Sequence, residues 1–421
     1  MRSKKYFNLL GFYFVVLHLC PLLVLVDLLP GGKPAYIVDI ATVLPILLTL
    51  YYWYISVINS KVSHLDFAVT AYLIISVLSV VLYLQPDNPS DMTAYFYGIH
   101  HFVLPIFLYF AVKSFSSSQQ YSLLRFICYL NVTAVIIGII LFFGRPDFYK
   151  TKLLEQFAAS GTFLEDWQVF GRMQSYLGST ALGSIIATTI VLFSILKFSK
   201  FFVALFLPIM LVGILLTFQR GGFIALLVAI IYTLVKMRGT LKFKFLLPII
   251  FLLLSTVGII FYSQLEPEIL NRLLAQYSMS SLYDTISSER QRGYGPGLSY
   301  FKDFPMGVGL GATSSIAADM GLATRGQVVD ANFMRILADL GLLGLLSFFA
   351  VLLAASRAAL KRENGFGWLL LFGLIAAICI GTNTLDSYYV SHSFWLFLGV
   401  IDTKASKKYS VINMQHGSFK G

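Results

Sequence analysis

The sequence predicts an all-α polytopic membrane protein, and three observations support this: its composition, its apolar stretches and its charge distribution. The 421 residues are 57% hydrophobic and only 12% charged, and the mean hydropathy is +0.78. A soluble domain of this size does not carry so much apolar sequence. We expect one integral membrane domain over residues 1–421.

About 12 apolar stretches are each long enough to cross the ~30 Å hydrocarbon core of a bilayer as a helix. They cover residues 6–29, 36–58, 66–85, 94–113, 121–143, 175–196, 200–218, 221–236, 243–263, 333–356, 366–382 and 387–402. The first has a basic start and an apolar run too long for the core of a signal peptide, so we expect a retained transmembrane helix.

The charges predict the orientation of this bundle. With the N-terminus inside, the cytoplasmic side holds 19 Lys and Arg against 3 Asp and Glu, and the outer side holds 12 against 17. This asymmetry follows the positive-inside rule and predicts that both termini are cytoplasmic. It also explains the net charge of +11, so a nucleic-acid partner is not expected.

Two connections are long, and both fall on the outer side of the predicted topology: residues 144–174 and 264–330. Long ordered loops in compact proteins usually carry function. In the larger loop, apolar residues at helical spacing between Leu265 and Leu274 predict an amphipathic helix on the membrane surface. The large outer loop is therefore the expected place of the site.

Arg220 lies between two apolar stretches and is followed by two glycines, Gly221 and Gly222. One interpretation is an arginine that reaches to the outer headgroups. The other is a guanidinium that points into a polar cavity, because an arginine at a membrane edge is costly to desolvate without a counter-charge. The second interpretation predicts an anionic ligand.

Four segments follow one another between about 170 and 350. They are GRMQSYLGSTALGSIIA with Arg172, TFQRGGFIALLVAI with Arg220, SSERQRGYGPGLSYFKDFPMGVGLGAT with Arg290, Pro305, Gly307, Gly309 and Gly311, and VDANFMRILADLGLLGLLSF with Asp330, Asn332, Gly341 and Gly344. Together they resemble the O-antigen polymerase/ligase superfamily of bacterial membrane glycosyltransferases. The resemblance implies a GT-C-like helical bundle in the bacterial cytoplasmic (inner) membrane and an undecaprenyl-diphosphate-linked oligosaccharide as substrate.

The arginines suit such a donor, because guanidinium groups hydrogen-bond phosphate oxygens in pairs and stay charged when partly buried. Arg220 and Arg290 are the expected catalytic pair, which would stabilise the leaving diphosphate. Arg172, Arg292 and Arg325 are expected to bind diphosphate or sugar. A solvated loop charge is an equal alternative for Arg292. No Asp-x-Asp pair occurs in an outer loop, so neither a metal nor another cofactor is expected.

Asp330 stands where the ligase branch places a histidine. A carboxylate there could take the proton of an acceptor hydroxyl or orient that hydroxyl, and Asn332 is expected to bind substrate. The alternative is helix capping, because Asp and Asn are both good N-cap residues and an apolar helix follows. The missing histidine favours a polymerase over a ligase.

Packing inside the bundle is the expected role of His100, His101 and the three cysteines. His100 and His101 are adjacent on an apolar helix and cannot face one metal, whereas His392 and Asp386 could line the outer cavity. The cysteines, which lie in apolar stretches without metal-ligand spacing, are expected to pack. They are Cys20, Cys128 and Cys379.

The predicted function is therefore a polysaccharide polymerase, with an O-antigen ligase as the alternative. An alternative of another class is a flippase for the same lipid-linked units. A transporter should show internal repeats and charges deep in several helices, whereas the charges in this sequence are expected to cluster on one face and in one large loop. Membrane lipids and a chain-length regulator are further candidate partners.

Overall fold

The computed structural model of the protein is helical wherever the chain forms regular secondary structure in the residues it describes. These are residues 2–25, 43, 45–52, 54–55, 62–84, 95–96, 98–151, 173, 175, 179–196, 198–217, 294–314, 329, 331–362, 385 and 388–403. The all-α prediction is confirmed for these ranges.

The helices begin and end close to the bounds of the predicted apolar stretches. They are α1 (Arg2–Leu25), α2 (His64–Leu78) with a 3₁₀ extension (Ser79–Leu84), a π-helix (Ile99–Val103), a 3₁₀ turn (Leu104–Ile106), α3 (Phe107–Lys113), α4 (Ser117–Gly144), α5 (Ser179–Ile195), α6 (Lys200–Thr217), α7 (Asn332–Leu360) and α8 (Tyr388–Asp402). A further helical segment covers 294–303.

Three helices of the described part are long and apolar enough to cross a membrane: His64–Leu82, Ser117–Gly144 and Asn332–Leu360. The protein is therefore a multi-pass membrane protein, and the total of about 12 spans stays a prediction. The predicted stretches 221–236, 243–263 and 366–382 lie outside the described residues. So does the amphipathic helix expected around 265–274.

Aromatic side chains join α2, α7 and α8. The ring of Phe348 on α7 lies 5.4 Å from the ring of Tyr72 and 6.2 Å from that of Phe394, measured between centroids. The Trp395 ring stacks on that of Tyr72, with 5.9 Å between centroids. Tilted and stacked contacts of this kind are favourable for aromatic rings. They pack α7 and α8 against α2.

Hydrogen bonds between side chains join α4, α5 and α8. The Tyr389 hydroxyl donates to Asn131 Oδ1 at 2.7 Å, and Asn131 Nδ2 donates to Thr189 Oγ1 at 2.8 Å. Polar side chains at helix interfaces commonly bridge membrane helices in this way. Cys128, one turn before Asn131, is buried as predicted, whereas the side chains of Cys20 and Cys379 lie outside the described residues.

A buried cluster of charges, here called the inner ion cluster, consists of Asp66, Lys113 and Asp402. Lys113 Nζ lies 2.7 Å from Asp66 Oδ1 and also contacts Asp402 Oδ2. The Tyr109 hydroxyl lies 2.9 Å from Asp66 Oδ1 and 2.8 Å from Asp402 Oδ2. Arg362 donates to the carbonyl of Val400 and adds a positive charge within range of Asp402.

The inner ion cluster bears on the predicted topology. It joins the start of α2, the end of α3 and the end of α8, which are three ends that the prediction assigns to the cytoplasmic side. These ends do meet at one point in the structure. Which side of the membrane they face stays a prediction from the charges.

Candidate functional site

The structure describes one part of the predicted site, at the end of the large outer loop. Asn332 is the described member of the predicted set. Six others lie outside the described residues: Arg172, Arg220, Arg290, Arg292, Arg325 and Asp330. The described part of the site consists of the Pro305–Thr313 turn and the first turns of α7.

The Pro-x-Gly-x-Gly pattern that begins at Pro305 forms a glycine-rich turn. Gly307, Gly309 and Gly311 have φ values of +95°, +110° and +82°, a region that residues with a Cβ rarely adopt. A Cβ on Gly307 would also meet the backbone of Asp339. The alternating glycines thus let the turn lie directly against α7.

The turn takes over hydrogen bonds that α7 would otherwise make within itself. Gly341 has φ +66° and ψ −165°, which interrupts the helix. The Leu342 N–H donates to the carbonyl of Pro305 at 3.3 Å, and the Val308 N–H donates to the carbonyl of Ala338 at 2.8 Å. Irregular backbone at membrane depth is tolerated where protein satisfies its polar groups, and the turn does so here.

The carboxylate of Asp339 completes this attachment. Oδ2 accepts the Gly311 N–H at 3.0 Å, and Oδ1 accepts the Thr313 N–H at 3.0 Å and the Thr313 hydroxyl at 2.8 Å. Asp339 is 2% exposed. The three groups of the turn that bond to Asp339 are all hydrogen-bond donors. They therefore suit an ionised carboxylate, which can only accept hydrogen bonds.

Arg335 lies one helical turn before Asp339 and is also buried. Its guanidinium carbon is 3.9 Å from the centroid of the Phe102 ring, a close cation–π contact. Phe102 belongs to the π-helix, as does His101, which lies within electrostatic range of Arg335 and His392. Short π-helical segments are frequent at functional sites. This arrangement brings a cation and two imidazoles into the interior beside the turn.

The two histidines of the π-helix are both half-buried. Their rings lie edge-on to one another, with 5.0 Å between centroids. His392 packs near Tyr13, with 5.7 Å between ring centroids. Within the described part of the chain, no group of His, Cys, Asp and Glu side chains could hold a metal ion. The packing role expected for His100 and His101 stays a prediction.

Asn332 does not cap α7. The N-cap residue is Ala331, which is extended and has no side-chain capping hydrogen bond, and Asn332 is the first helical residue. The capping interpretation is therefore wrong for Asn332, and for Asp330 it falls outside the described residues. The Asn332 side chain is fully buried, and its contact with substrate stays a prediction.

Sequence reasoning missed Arg335 and Asp339. The available signal was a pair of ionisable residues four positions apart in an apolar stretch, because such groups are costly in a membrane and usually functional. The expectation that charges cluster on one face and in one loop needs correction for the described residues. Arg335 and Asp339 lie inside α7, and the inner ion cluster lies at the opposite end of the bundle.

Residues 203–349 match the Wzy_C family model, which is described as O-antigen ligase. The matched range contains the turn, the interrupted part of α7 and every predicted site residue except Arg172. No curated protein matches the chain.

Proposed function

Because the chain contains a Wzy_C domain of the O-antigen ligase/polymerase family, we propose that it is a polysaccharide polymerase of the outer face of the cytoplasmic membrane. Members of this family are membrane enzymes of the glycosyltransferase type that act on lipid-linked glycans. The proposed reaction joins repeat units that are carried on undecaprenyl diphosphate.

The reaction forms one glycosidic bond and breaks one bond to phosphate. A hydroxyl of the acceptor sugar attacks the anomeric carbon of the donor glycan. The bond between that carbon and the diphosphate oxygen breaks, and undecaprenyl diphosphate leaves with the bonding electrons. The hydroxyl proton passes to a base. The protein must therefore stabilise an anionic leaving group and receive a proton.

In this proposal Arg220 and Arg290 stabilise the leaving diphosphate, and Asp330 takes or orients the proton of the acceptor hydroxyl. Arg172, Arg292, Arg325 and Asn332 contribute binding to the diphosphate or the sugars. The observation that carries the reaction class is the family match over 203–349. The carboxylate at 330, in place of the histidine of the ligase branch, supports polymerisation.

An O-antigen ligase is the second candidate, since the family description names that reaction. It would use the same kind of donor but transfer the glycan to a lipid A-core acceptor. A flippase is less supported, because the family carries out glycan transfer.

Deletion of the gene distinguishes these reactions by what remains on the cell. Loss of a polymerase should leave single repeat units on the surface, whereas loss of a ligase should leave polymer on the lipid carrier with none on the acceptor. Loss of a flippase should leave single units on the inner leaflet. The measurement is gel separation of surface glycan and of extracted lipid-linked glycan.

Complementation then tests the arginines. The wild-type gene should restore long surface chains, whereas Arg220→Ala and Arg290→Ala should not. Arg357→Ala is the control, because Arg357 is exposed at the end of α7, and it should restore them. Full chain length with both arginine variants would exclude the diphosphate clamp but leave the polymerase proposal standing.

A further inference from the structure

The Asp339 carboxylate connects the core of α7 to the chain just before Asp330. It accepts two hydrogen bonds from Thr313, one from the backbone and one from the hydroxyl. The carbonyl of Thr313 in turn accepts the N–H of Val329 at 3.1 Å. Val329 directly precedes Asp330 in the sequence. One buried side chain thus fixes the backbone beside the proposed proton acceptor.

Backbone hydrogen bonds to α7 fix the N-terminal flank of the turn. Pro305 and Val308 are hydrogen-bonded to α7 on either side of Gly341. The helical segment 294–303 leads into the turn, and a Cβ on its Gly297 would lie 2.8 Å from Met334 Cβ. This segment begins two residues after Arg292. Both flanks of the turn are therefore held against the first turns of α7.

These attachments are buried and directional. Val329 and Thr313 are almost inaccessible to solvent, as is Asp339, so a donor that loses its acceptor there cannot turn to water. Such a group costs its desolvation free energy. Small displacements of reacting groups cost large factors in rate, which makes the attachment relevant to catalysis.

We propose that Asp339 is a positioning residue: through Thr313 and Val329 it holds the backbone just before Asp330 against the glycine turn. The catalytic part of this inference rests on the proposed function, because it needs the role of Asp330. The attachment of the chain to α7 does not depend on that function. Asp339 is buried and its carboxylate is bonded to the turn, so its effect on the reaction would be indirect. Replacing it should release the chain before Asp330 while the rest of the bundle stays folded.

Cysteine labelling of the full-length protein in membranes tests the structural part. Two single-cysteine forms are needed: one keeps the buried native Cys128, and the other has Val329→Cys with Cys128→Ala. Both carry Cys20→Ser and Cys379→Ser. Each is combined with Asp339→Asn, Thr313→Val or Thr313→Ser and treated with N-ethylmaleimide. Cys128 reports on the bundle, and position 329 reports on the attachment.

Asp339→Asn turns an NH₂ group, in place of an acceptor oxygen, toward one of the buried donors of the turn, and this mismatch favours local opening. The labelling rate at position 329 should rise by roughly tenfold or more. The rate at Cys128 should not change. Thr313→Val should raise labelling at 329, whereas Thr313→Ser, which keeps the hydroxyl, should not. Unchanged labelling at 329, or an equal rise at Cys128, would overturn the proposal.

The catalytic part is read from the chain length of the surface glycan in cells with the native cysteines. Thr313→Val should shorten the chains and Thr313→Ser should keep them long. Long chains in Thr313→Val, with position 329 exposed, would overturn the positioning role. If the wild-type gene itself made no polymer, the proposed function would fail while the labelling result still judged the attachment.

Discussion

Gly341 is the residue on which the interruption of α7 depends. Its combination of φ +66° and ψ −165° is essentially restricted to glycine, and another residue there costs about 1–3 kcal/mol. A Cβ would also meet the backbone of Pro305 and Met306. Gly341→Ala should therefore lower the apparent Tm of the purified protein in detergent, measured by loss of the monodisperse peak after heating.

Gly295→Ala is the matched control for Gly341→Ala. A Cβ at position 295 meets nothing within 4 Å, and the position lies in the helical segment 294–303, where alanine is the better helix former. Its Tm should stay the same or rise. Equal Tm values for the two variants would mean that the turn does not depend on the glycine conformation.

Arg335 should not be replaceable by lysine. A guanidinium stacks on an aromatic face with its plane, whereas an ammonium is a compact and more strongly hydrated charge. Arg335→Lys should therefore lower the apparent Tm more than Arg357→Lys, which alters an exposed arginine of the same helix. If Phe102→Leu removes this difference, the contact with the ring is its cause. An Arg335→Lys protein as stable as the wild type would contradict the cation–π interpretation.

At the scale of single residues, the sequence allowed some predictions and not others. The turn at 305–311 was implied by the resemblance of its Pro-x-Gly-x-Gly pattern to the O-antigen polymerase/ligase superfamily. The role of Asp339 was not, because it depends on donors 26 and 28 positions away in the chain. Ala331 as N-cap was also unexpected, since capping residues normally carry a side-chain oxygen.

At the scale of helices, α4, α7 and α8 begin and end within a few residues of their predicted apolar stretches, because hydropathy marks the apolar run that each helix contains. The stretch 94–113 was predicted as one helix, but it contains a π-helix, a 3₁₀ turn and a short α-helix. Pro105 lies in the 3₁₀ turn and has no N–H to donate within a helix. Leu310 also approaches Gly98, where a Cβ would lie 2.5 Å from the Leu310 carbonyl oxygen. Hydropathy carries no information on such contacts.

The inner ion cluster should be essential for joining α2, α3 and α8. Lys113→Met leaves a buried carboxylate charge uncompensated, and breaking a buried ion pair in this way typically costs about 3–5 kcal/mol. The apparent Tm should fall clearly. Adding Asp66→Asn and Asp402→Asn to Lys113→Met should restore part of the loss, since it removes the unpaired charges.

Lys150→Met is the control for Lys113→Met. The Lys150–Asp147 pair is exposed, with 3.5 Å between its charged atoms, and exposed pairs contribute little. Its Tm should match the wild type. A triple variant less stable than Lys113→Met alone would show that the hydrogen bonds of the carboxylates matter more than their charge.

At the scale of the whole molecule, the inner ion cluster and the glycine turn lie at opposite ends of the bundle under the predicted topology. The cluster joins three helix ends on the side rich in Lys and Arg, and the turn lies in the loop region rich in Asp and Glu. Residues 144–174 should then face outward together with the turn. The proposed reaction requires this orientation, because its site must open to the outer face.

Maleimide labelling of right-side-out spheroplasts tests this orientation. In a chain with Cys20, Cys128 and Cys379 replaced, Lys150→Cys should react with a membrane-impermeant maleimide added outside, because Lys150 is partly exposed in the first outer loop. Lys361→Cys, exposed at the end of α7, should react only after lysis, since the positive-inside rule places that end in the cytoplasm. The reverse pattern would put the glycine turn inside the cell, and no outer-face transferase could then use it.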